Sequence, residues 1–407
     1  MPYEIPSLSP SFYDEMYHMS LPDICLDICE ALFQQSIPNS DLTQIIIESI
    51  TFGAPLVQLD PKIFALELWH GPSLAFKDFG AQFMARLMSY FNRGHEKELN
   101  ILVATSGDTG GAVAAGFHNV PGINVIILYP KGKVSPLQEK QLTTFGGNVQ
   151  ALEIEGTFDD CQALVKRAFN DTTLSDKLRL TSANSINIAR LVPQMFYYFD
   201  AIRQLGPQAQ LFPTVFSVPS GNFGNLTAGL FAQRMGLKID QFVAATNIND
   251  VVPQYLKSSN YEPRPSVETL SNAMDVGAPS NFTRILSLHG STWNHIKASL
   301  HGYSYTDKDT LQAIQYIYNQ YQYKADPHGA IAYLGLQDEL SHQPSETYGI
   351  FLETAHPSKF KSTIDQALQA DTLIHPSLQA LAHKTSHKTI LANDYRDLFI
   401  FLIETLT

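Results

Sequence analysis

One lysine, Lys77, stands in the stretch WHGPSLAFKDFG (69–80), with small and aromatic residues before it and a helix start after it. Lysines ordinarily lay their methylenes along a surface and leave the charge in water. An amine set in an apolar, water-poor place has its pKa lowered and becomes a nucleophile toward carbonyls. A second stretch, PSGNFGN (219–225), lies between an apolar run and a helical pattern. Gly221 and Gly224 allow positive φ and close backbone approach, and the inward N–H groups of such a turn, with the positive end of the next helix, suit a phosphate. The spacing is neither that of a Walker loop nor that of the dinucleotide-binding G-x-G-x-x-G pattern. A tight strand-to-helix turn with no ligand would read the same way. The third stretch is ATSGDTGGA (104–112), where Thr105, Ser106 and Thr109 offer hydroxyls and Gly107, Gly110 and Gly111 free the backbone. A helix N-terminus there suits a carboxylate. Asp108 would oppose an anion unless it caps the helix and points away, and this stretch too could be only a well-capped turn.

Taken together the three say more than each alone. A lysine amine able to form an imine, a phosphate cradle more than a hundred residues downstream and a hydroxyl-rich carboxylate loop describe a pyridoxal-phosphate enzyme acting on an amino acid.

The elements that must position these residues are legible as a series. NILVAT (100–105), INVIILYP (123–130), TVFSVP (214–219), QFVAAT (241–246) and YGIFLET (348–354) read as strands, separated by Gly-rich turns and amphipathic stretches. Strands rich in β-branched residues that alternate with helices imply parallel sheets covered on both faces, an α/β fold. LPDICLDICEALFQQSI and DLTQIIIESITF, near the N-terminus, have helical periodicity. The expected division is a largely helical N-terminal segment, 1–74, packing on the large domain; a smaller α/β domain, 75–200; and a large α/β domain, 201–407, with the phosphate loop. The chain has 407 residues, 44% hydrophobic and only 16% charged, below the roughly 25% usual for soluble proteins. Its net charge of −12 argues against nucleic acid or an anionic membrane as main partner, since phosphate surfaces need a basic footprint. Cys25, Cys29 and Cys161 are too few and too unevenly spaced for a disulfide scaffold or a structural zinc site, and read as buried thiols. No metal site is expected. The N-terminus lacks a signal-peptide pattern and no run is long and apolar enough for a membrane span, so a cytoplasmic location is expected.

HGPSLAFKDFG, TSGDTGGA, LYPKGKVSPLQEKQ, SANSINIARLVPQ, VPSGNFGN, SNAMDVGAPSNF and TAHPSKF occur in this order between His70 and Phe360, within a resemblance that covers roughly Tyr13 to Phe360. By these strings the sequence resembles the threonine synthase family, in its bacterial and fungal type. The resemblance implies a tryptophan-synthase β-subunit-like fold, fold type II among pyridoxal-phosphate enzymes, with two open, mostly parallel sheets flanked by helices and a helical N-terminal segment. It implies conversion of O-phospho-L-homoserine and water to L-threonine and phosphate with pyridoxal 5′-phosphate as cofactor. Lys77 falls on the family's Schiff-base lysine, and is the candidate for most of the proton transfers. Gly221, Asn222, Phe223, Gly224 and Asn225 fall on the loop that holds the cofactor phosphate. Thr354 falls on the residue that meets the pyridine nitrogen, where a neutral hydroxyl fixes the ring's protonation less than a carboxylate would; it could equally cap a helix near Pro357.

The remaining candidates have two readings each. Thr105, Ser106, Gly107, Asp108 and Thr109 resemble the loop that grips the substrate's α-carboxylate. Lys131, Lys133 and Ser135, in PKGKVSP past a strand end, either receive the substrate phosphate or form a solvated turn. Asn187 either bonds the cofactor's 3-hydroxyl or is a buried structural amide. DPHGA reads as a helix start with Asp326 as N-cap and Pro327 at the first position, and His328 is a candidate for lining the site. His70 is placed beside Lys77 or in the core. SNAMDVG (271–277) looks like a family signature without a derivable task. The competing readings are another fold type II lyase, such as a serine/threonine dehydratase or a phospholyase, and a non-catalytic ligand-binding homologue. TSGDTG and SNAMDVG point away from the dehydratases, and retention of Lys77, the whole loop and Thr354 points away from the binder. A monomer or homodimer is expected.

Overall fold

Short β-branched runs set the layout of the computed structural model, which describes residues 5–406. The ends of the expected division at residues 1–4 and 407 lie outside the described residues. Among these are eleven strands: β1 (Leu56–Asp60), β2 (Ile63–Glu67), β3 (Leu99–Ala104), β4 (Ile123–Pro130), β5 (Val149–Glu155), β6 (Arg179–Ser182), β7 (Thr214–Pro219), β8 (Gln241–Thr246), β9 (Leu300–Ser304), β10 (Tyr348–Glu353) and β11 (Lys388–Ala392). The five runs read from the sequence are β3, β4, β7, β8 and β10. They form two sheets in two compact units, one comprising residues up to Phe76 with Leu191–Leu373, the other Lys77–Arg190 with the chain from Ile374.

In the larger unit the strand order is β1-β2-β10-β7-β8-β9. All pairs are parallel except β1 with β2, which form an antiparallel hairpin at the sheet edge. That hairpin interrupts the otherwise helical N-terminal segment, whose helices Leu21–Phe33 and Asn39–Ser49 match the periodicity of the sequence. Ser20 and Asp23 start the first of these with a reciprocal capping box, which satisfies two of the orphan N–H groups. Its buried Ile24, Cys25, Ile28 and Cys29 recur at helical spacing, and it packs on the helix Val192–Leu205. Burial pushes both thiols well above the usual cysteine range.

In the smaller unit β11-β5-β4-β3-β6 are parallel throughout. Successive residues of β3 alternate between two cores: Ile101 and Val103 join Met84, Val113 and Phe117, while Leu102 and Ala104 join Cys161, Leu164, Leu398 and Leu402. The C-terminal residues therefore depart from the expected division, which put them with the large domain. β11 extends the sheet beside β5, and the helix Tyr395–Leu406 turns Tyr395, Leu398 and Leu402 onto the β3 face. The helix Val192–Leu205, by contrast, groups with the larger unit. Among the described residues no helix is long and apolar enough to cross a membrane.

Candidate active site

In the smaller unit Lys77 is the first residue of the helix Lys77–Asn92. Its Nζ lies 3.8 Å from Asp108 Oδ2, and both side chains are mostly buried, 16% and 6% exposed. Asp108 opens the helix Asp108–Phe117. Small residues bring the two helices close: a Cβ on Gly116 would sit 2.9 Å from the backbone of Ala81. Arg86 then closes the contact by donating to the Gly116 carbonyl at 2.7 Å. Asp108 does not point away as a cap. Its Oδ1 accepts from Gln138 Nε2 at 3.1 Å, and Gln138 is held by a capping box with Ser135. A chain Ser135–Gln138–Asp108–Lys77 results, so the surroundings of the amine are not simply apolar. Thr105 Oγ1 accepts from the N–H groups of Gly107 and Gly110, which shapes the loop. Gly107 is required twice over, with φ of 140° and the Gln138 amide 2.7 Å from where its Cβ would be. Asp78, next to Lys77, is fully buried and faces Arg190 instead. Burial lowers the Arg190 pKa to about 10, and the Asp78 charge opposes that shift.

In the larger unit residues 220–223 join β7 to the helix Gly224–Met235. Here the sequence expectation needs correcting: the left-handed residue is Phe223, at φ 61°, and neither Gly221 nor Gly224. Gly221 is needed for close approach, since a Cβ there would lie 2.6 Å from the Ala273 carbonyl and 2.7 Å from Met274 Cα. SNAMDVG thereby acquires a task, as the wall on which the loop leans. Asn222 Oδ1 accepts from the N–H and hydroxyl of Ser280, and its own carbonyl accepts from Asn281 Nδ2. Asn225 Oδ1 accepts from the hydroxyls of Tyr197 and Tyr198, both at 2.7 Å. Those two bonds leave Asn225 Nδ2 buried without a partner. A buried amide donor without an acceptor is costly unless a ligand completes it. With the unsatisfied N–H groups of the helix start, it makes residues 221–225 fit a phosphate group.

Thr354 is buried at the end of β10, and its carbonyl accepts from Phe76 N–H at 2.9 Å. It is not the cap of the turn at Pro357; His356 is, through Nδ1 and the Ser358 N–H. Lys359, unremarked in the sequence, is buried and donates to the Ser73 carbonyl at 2.9 Å. Together with the Ala75–Ala355 bridge it pins the segment that runs into Lys77, in which Leu74 is left-handed at φ 58°.

Other candidates stand apart from these sets. Lys131 Nζ is 2.7 Å from Glu155 and half exposed. Asn187 spends its amide locally, donating to the Ser182 carbonyl and accepting from Ala189 N–H. His70 is exposed and paired with Glu67 at 2.8 Å, so it is not a core residue. Asp326 caps the helix Pro327–Leu340 as expected, and His328 is buried on it. Gln138 was missed, although S-P-L-Q is a capping-box pattern. Lys359 and the tyrosine pair carry no comparable sequence signal. Among the described residues no cluster of three or more His, Cys, Asp or Glu is arranged to hold a metal.

Each unit is built on a parallel or mostly parallel sheet, one with a lysine opening a helix and the other with a glycine-bearing turn into a helix, and the family of pyridoxal-phosphate dependent enzymes matches residues 47–352. A second family model, for the C-terminal part of threonine synthase, matches residues 330–399. The threonine synthase of Haemophilus influenzae is 46% identical over 407 residues, covering 99% of this chain and 93% of that protein. The crystal structure of threonine synthase from Escherichia coli superposes with a TM-score of 0.91 at 41% identity, covering 99% of this chain and 92% of that one. The pyridoxal-phosphate-bound threonine synthase from Brucella melitensis gives 0.93 at 34% identity, covering 100% and 93%. This chain belongs to the threonine synthase family of pyridoxal-phosphate dependent enzymes.

Proposed function

We propose that the chain converts O-phospho-L-homoserine and water into L-threonine and inorganic phosphate with pyridoxal 5′-phosphate, the last step of threonine biosynthesis. The observation that carries this is the 46% identity to a threonine synthase over nearly the whole of both chains. The unpartnered Asn225 amide in the phosphate loop supports the cofactor independently of that likeness.

When bound, pyridoxal phosphate supplies an electron-withdrawing ring that stabilises negative charge developing on the substrate carbons. Lys77 would hold its aldehyde carbon, residues 221–225 its phosphate and Thr354 its ring nitrogen. The Lys77 amine, once free, is the base that takes the proton from Cα and handles the later transfers as phosphate leaves Cγ and water adds at Cβ. Asp108, 3.8 Å away, orients that amine and balances its charge. Ser106, Gly107 and Thr109 would receive the substrate's carboxylate at the start of the helix Asp108–Phe117, while the bonds of Thr105 support a loop-shaping role. The Lys131–Glu155 pair and the local bonds of Asn187 support the solvated-turn and structural-amide readings of those residues. Ser135 acts through Gln138. A small-molecule substrate, a cytoplasmic setting, no nucleic-acid partner and a monomeric or homodimeric state complete the reading, the acidic net charge of −12 supporting the third of these.

The test is phosphate release from O-phosphohomoserine in the presence of pyridoxal phosphate, with threonine identified as product. Formation of a keto acid and ammonia from threonine or serine, without turnover of phosphohomoserine, would overturn it in favour of a dehydratase.

A further inference from the structure

Beneath the C-terminal end of β10 lies a group of ionisable side chains that the reaction does not use. Asp326 and Glu353 are fully buried and His328 nearly so. Asp326 Oδ1 accepts from the N–H of His328 at 2.8 Å and from its Nδ1 at 2.5 Å, while Oδ2 accepts from Ala355 N–H at 3.4 Å. Asp326 N–H donates to Glu353 Oε2 at 3.0 Å. At the other side of the ring, His328 Nε2 accepts from Ala273 N–H at 3.3 Å.

The donors decide the protons. A backbone N–H only donates, so Nε2 is bare and the ring hydrogen sits on Nδ1, directed at Asp326. Asp326 is then the anion: burial opposes its charge, but His328 beside it holds it below the usual carboxylate range. Glu353 is pushed the other way, by burial first and then by the Asp326 charge, so it keeps its proton. Its Oε1 meets no donor, and only a glycine at 329 leaves it room, since a Cβ there would come within 2.1 Å. Tyr323, whose hydroxyl donates to Glu67, and Glu67 itself face the carboxyl pair, and Asp275 faces His328.

Ala273 belongs to the wall on which Gly221 leans, and Ala355 follows Thr354. We propose that Asp326 and His328 are positioning residues: one buried carboxylate fixes the 273–274 wall of the phosphate loop through the His328 imidazole and the backbone beside Thr354 directly, with Glu353 as its neutral partner. The far side of the wall is held by Asp275, which accepts from Asn247, Asn249 and Thr269 and also lies within electrostatic reach of His328. The inference rests on the reading that residues 221–225 take the cofactor phosphate.

The test compares pyridoxal phosphate with pyridoxal, which lacks the phosphate. Full-length holoenzyme is dialysed against graded concentrations of each, and bound cofactor is read from its absorption. His328→Asn keeps a donor toward Asp326 but loses the acceptor for Ala273 N–H, and a buried hydrogen bond of this kind corresponds to about tenfold in affinity. His328→Asn is expected to weaken pyridoxal phosphate about tenfold or more while pyridoxal changes less than about threefold, and Asp326→Asn, which also loosens the backbone beside Thr354, is expected to weaken both. Glu353→Gln, the neutral isostere, is expected to stay within about threefold for both. In His328→Asn, unchanged pyridoxal phosphate affinity or an equal loss for both cofactors would overturn the proposal. A Glu353→Gln variant as weak as Asp326→Asn would overturn the neutral assignment of Glu353. If Asp326→Asn does not fold, His328→Asn decides by itself. A parent protein that binds no pyridoxal phosphate would overturn the proposed function, and this inference with it.

Discussion

The proposed phosphate loop of the larger unit is shaped mainly by close backbone contacts, with one side-chain amide at Asn225, whereas the lysine site of the smaller unit is made of charged side chains. Around Gly221 the fit is one of contact distances: a missing Cβ, a left-handed Phe223 and a helix start. Around Lys77 it is one of charge, with Asp108 set at 3.8 Å by Gln138 and, behind that, by Ser135. A backbone site tolerates almost no change of shape, and a charged site tolerates shape but not loss of a partner. Substitutions in the two units should therefore fail in different ways.

The largest effect belongs to Lys77→Ala. Removing the proposed base is expected to cut phosphate release from phosphohomoserine by about a thousandfold, within the range for loss of general acid–base catalysis. Because Asp108 also loses its cation, the melting temperature should fall as well; near-normal turnover would remove Lys77 from the reaction. Next comes Gly221→Ala, whose new Cβ meets backbone at 2.6 Å and 2.7 Å and has no flexible neighbour to displace. Overpacking of this kind costs about 1–3 kcal/mol, and cofactor affinity measured by titration should fall by roughly tenfold or more. If Gly221→Ala bound pyridoxal phosphate normally, the picture of a loop pressed on its wall would be wrong.

Leu402→Ala probes the smaller unit away from the chemistry. A cavity under the C-terminal helix should cost about 2–5 kcal/mol in denaturant unfolding, with cofactor affinity unchanged. An unaltered unfolding midpoint would show that this helix does not stabilise the β3 face. The smallest effect concerns Asp275, raised from 3.8 to about 6 chiefly by burial and opposed by its bonds from Thr269 and Asn247. Its folded-state pKa lies above its unfolded value, so the native protein holds the extra proton between these limits. Stability from this group is full below about pH 4 and falls as the pH rises through about 6. Melting curves across that window should slope downward more steeply in the parent than in Asp275→Asn. Parallel slopes would contradict the assignment.

Much of the fold was readable because buried parallel strands are short, apolar and bounded by Gly and Pro, as β4 and β7 illustrate. What escaped reading was whatever gained meaning only through a distant partner. β11, KTILA, is mostly exposed and has no buried run to announce it; it is a strand because β5 offers an open edge. The hairpin β1–β2 lay in a segment dominated by helical periodicity. Among the candidate residues, motif strings singled out Lys77 and residues 221–225, while Gln138, Lys359, Tyr197 and Tyr198 act on residues far away in sequence. The SNAMDVG stretch was visible as a signature, but its use as a wall depends on an approach across about fifty residues of chain.

By itself the sequence determined the residues available for chemistry: one lysine at a helix start, one glycine-bearing turn between a strand and a helix, an α/β series of strands and a family likeness spanning most of the chain. Those depend on residue type and local spacing, which the chain order preserves. Only the tertiary structure decided the partners. It gave Asp108 to Lys77 and Asp78 to Arg190, moved the left-handed turn from the glycines to Phe223, and buried Asp326 with Glu353 so that one carboxyl keeps its proton. Charge, protonation and close contact depend on distances between residues remote in the chain, and those distances exist only once the sheets have formed.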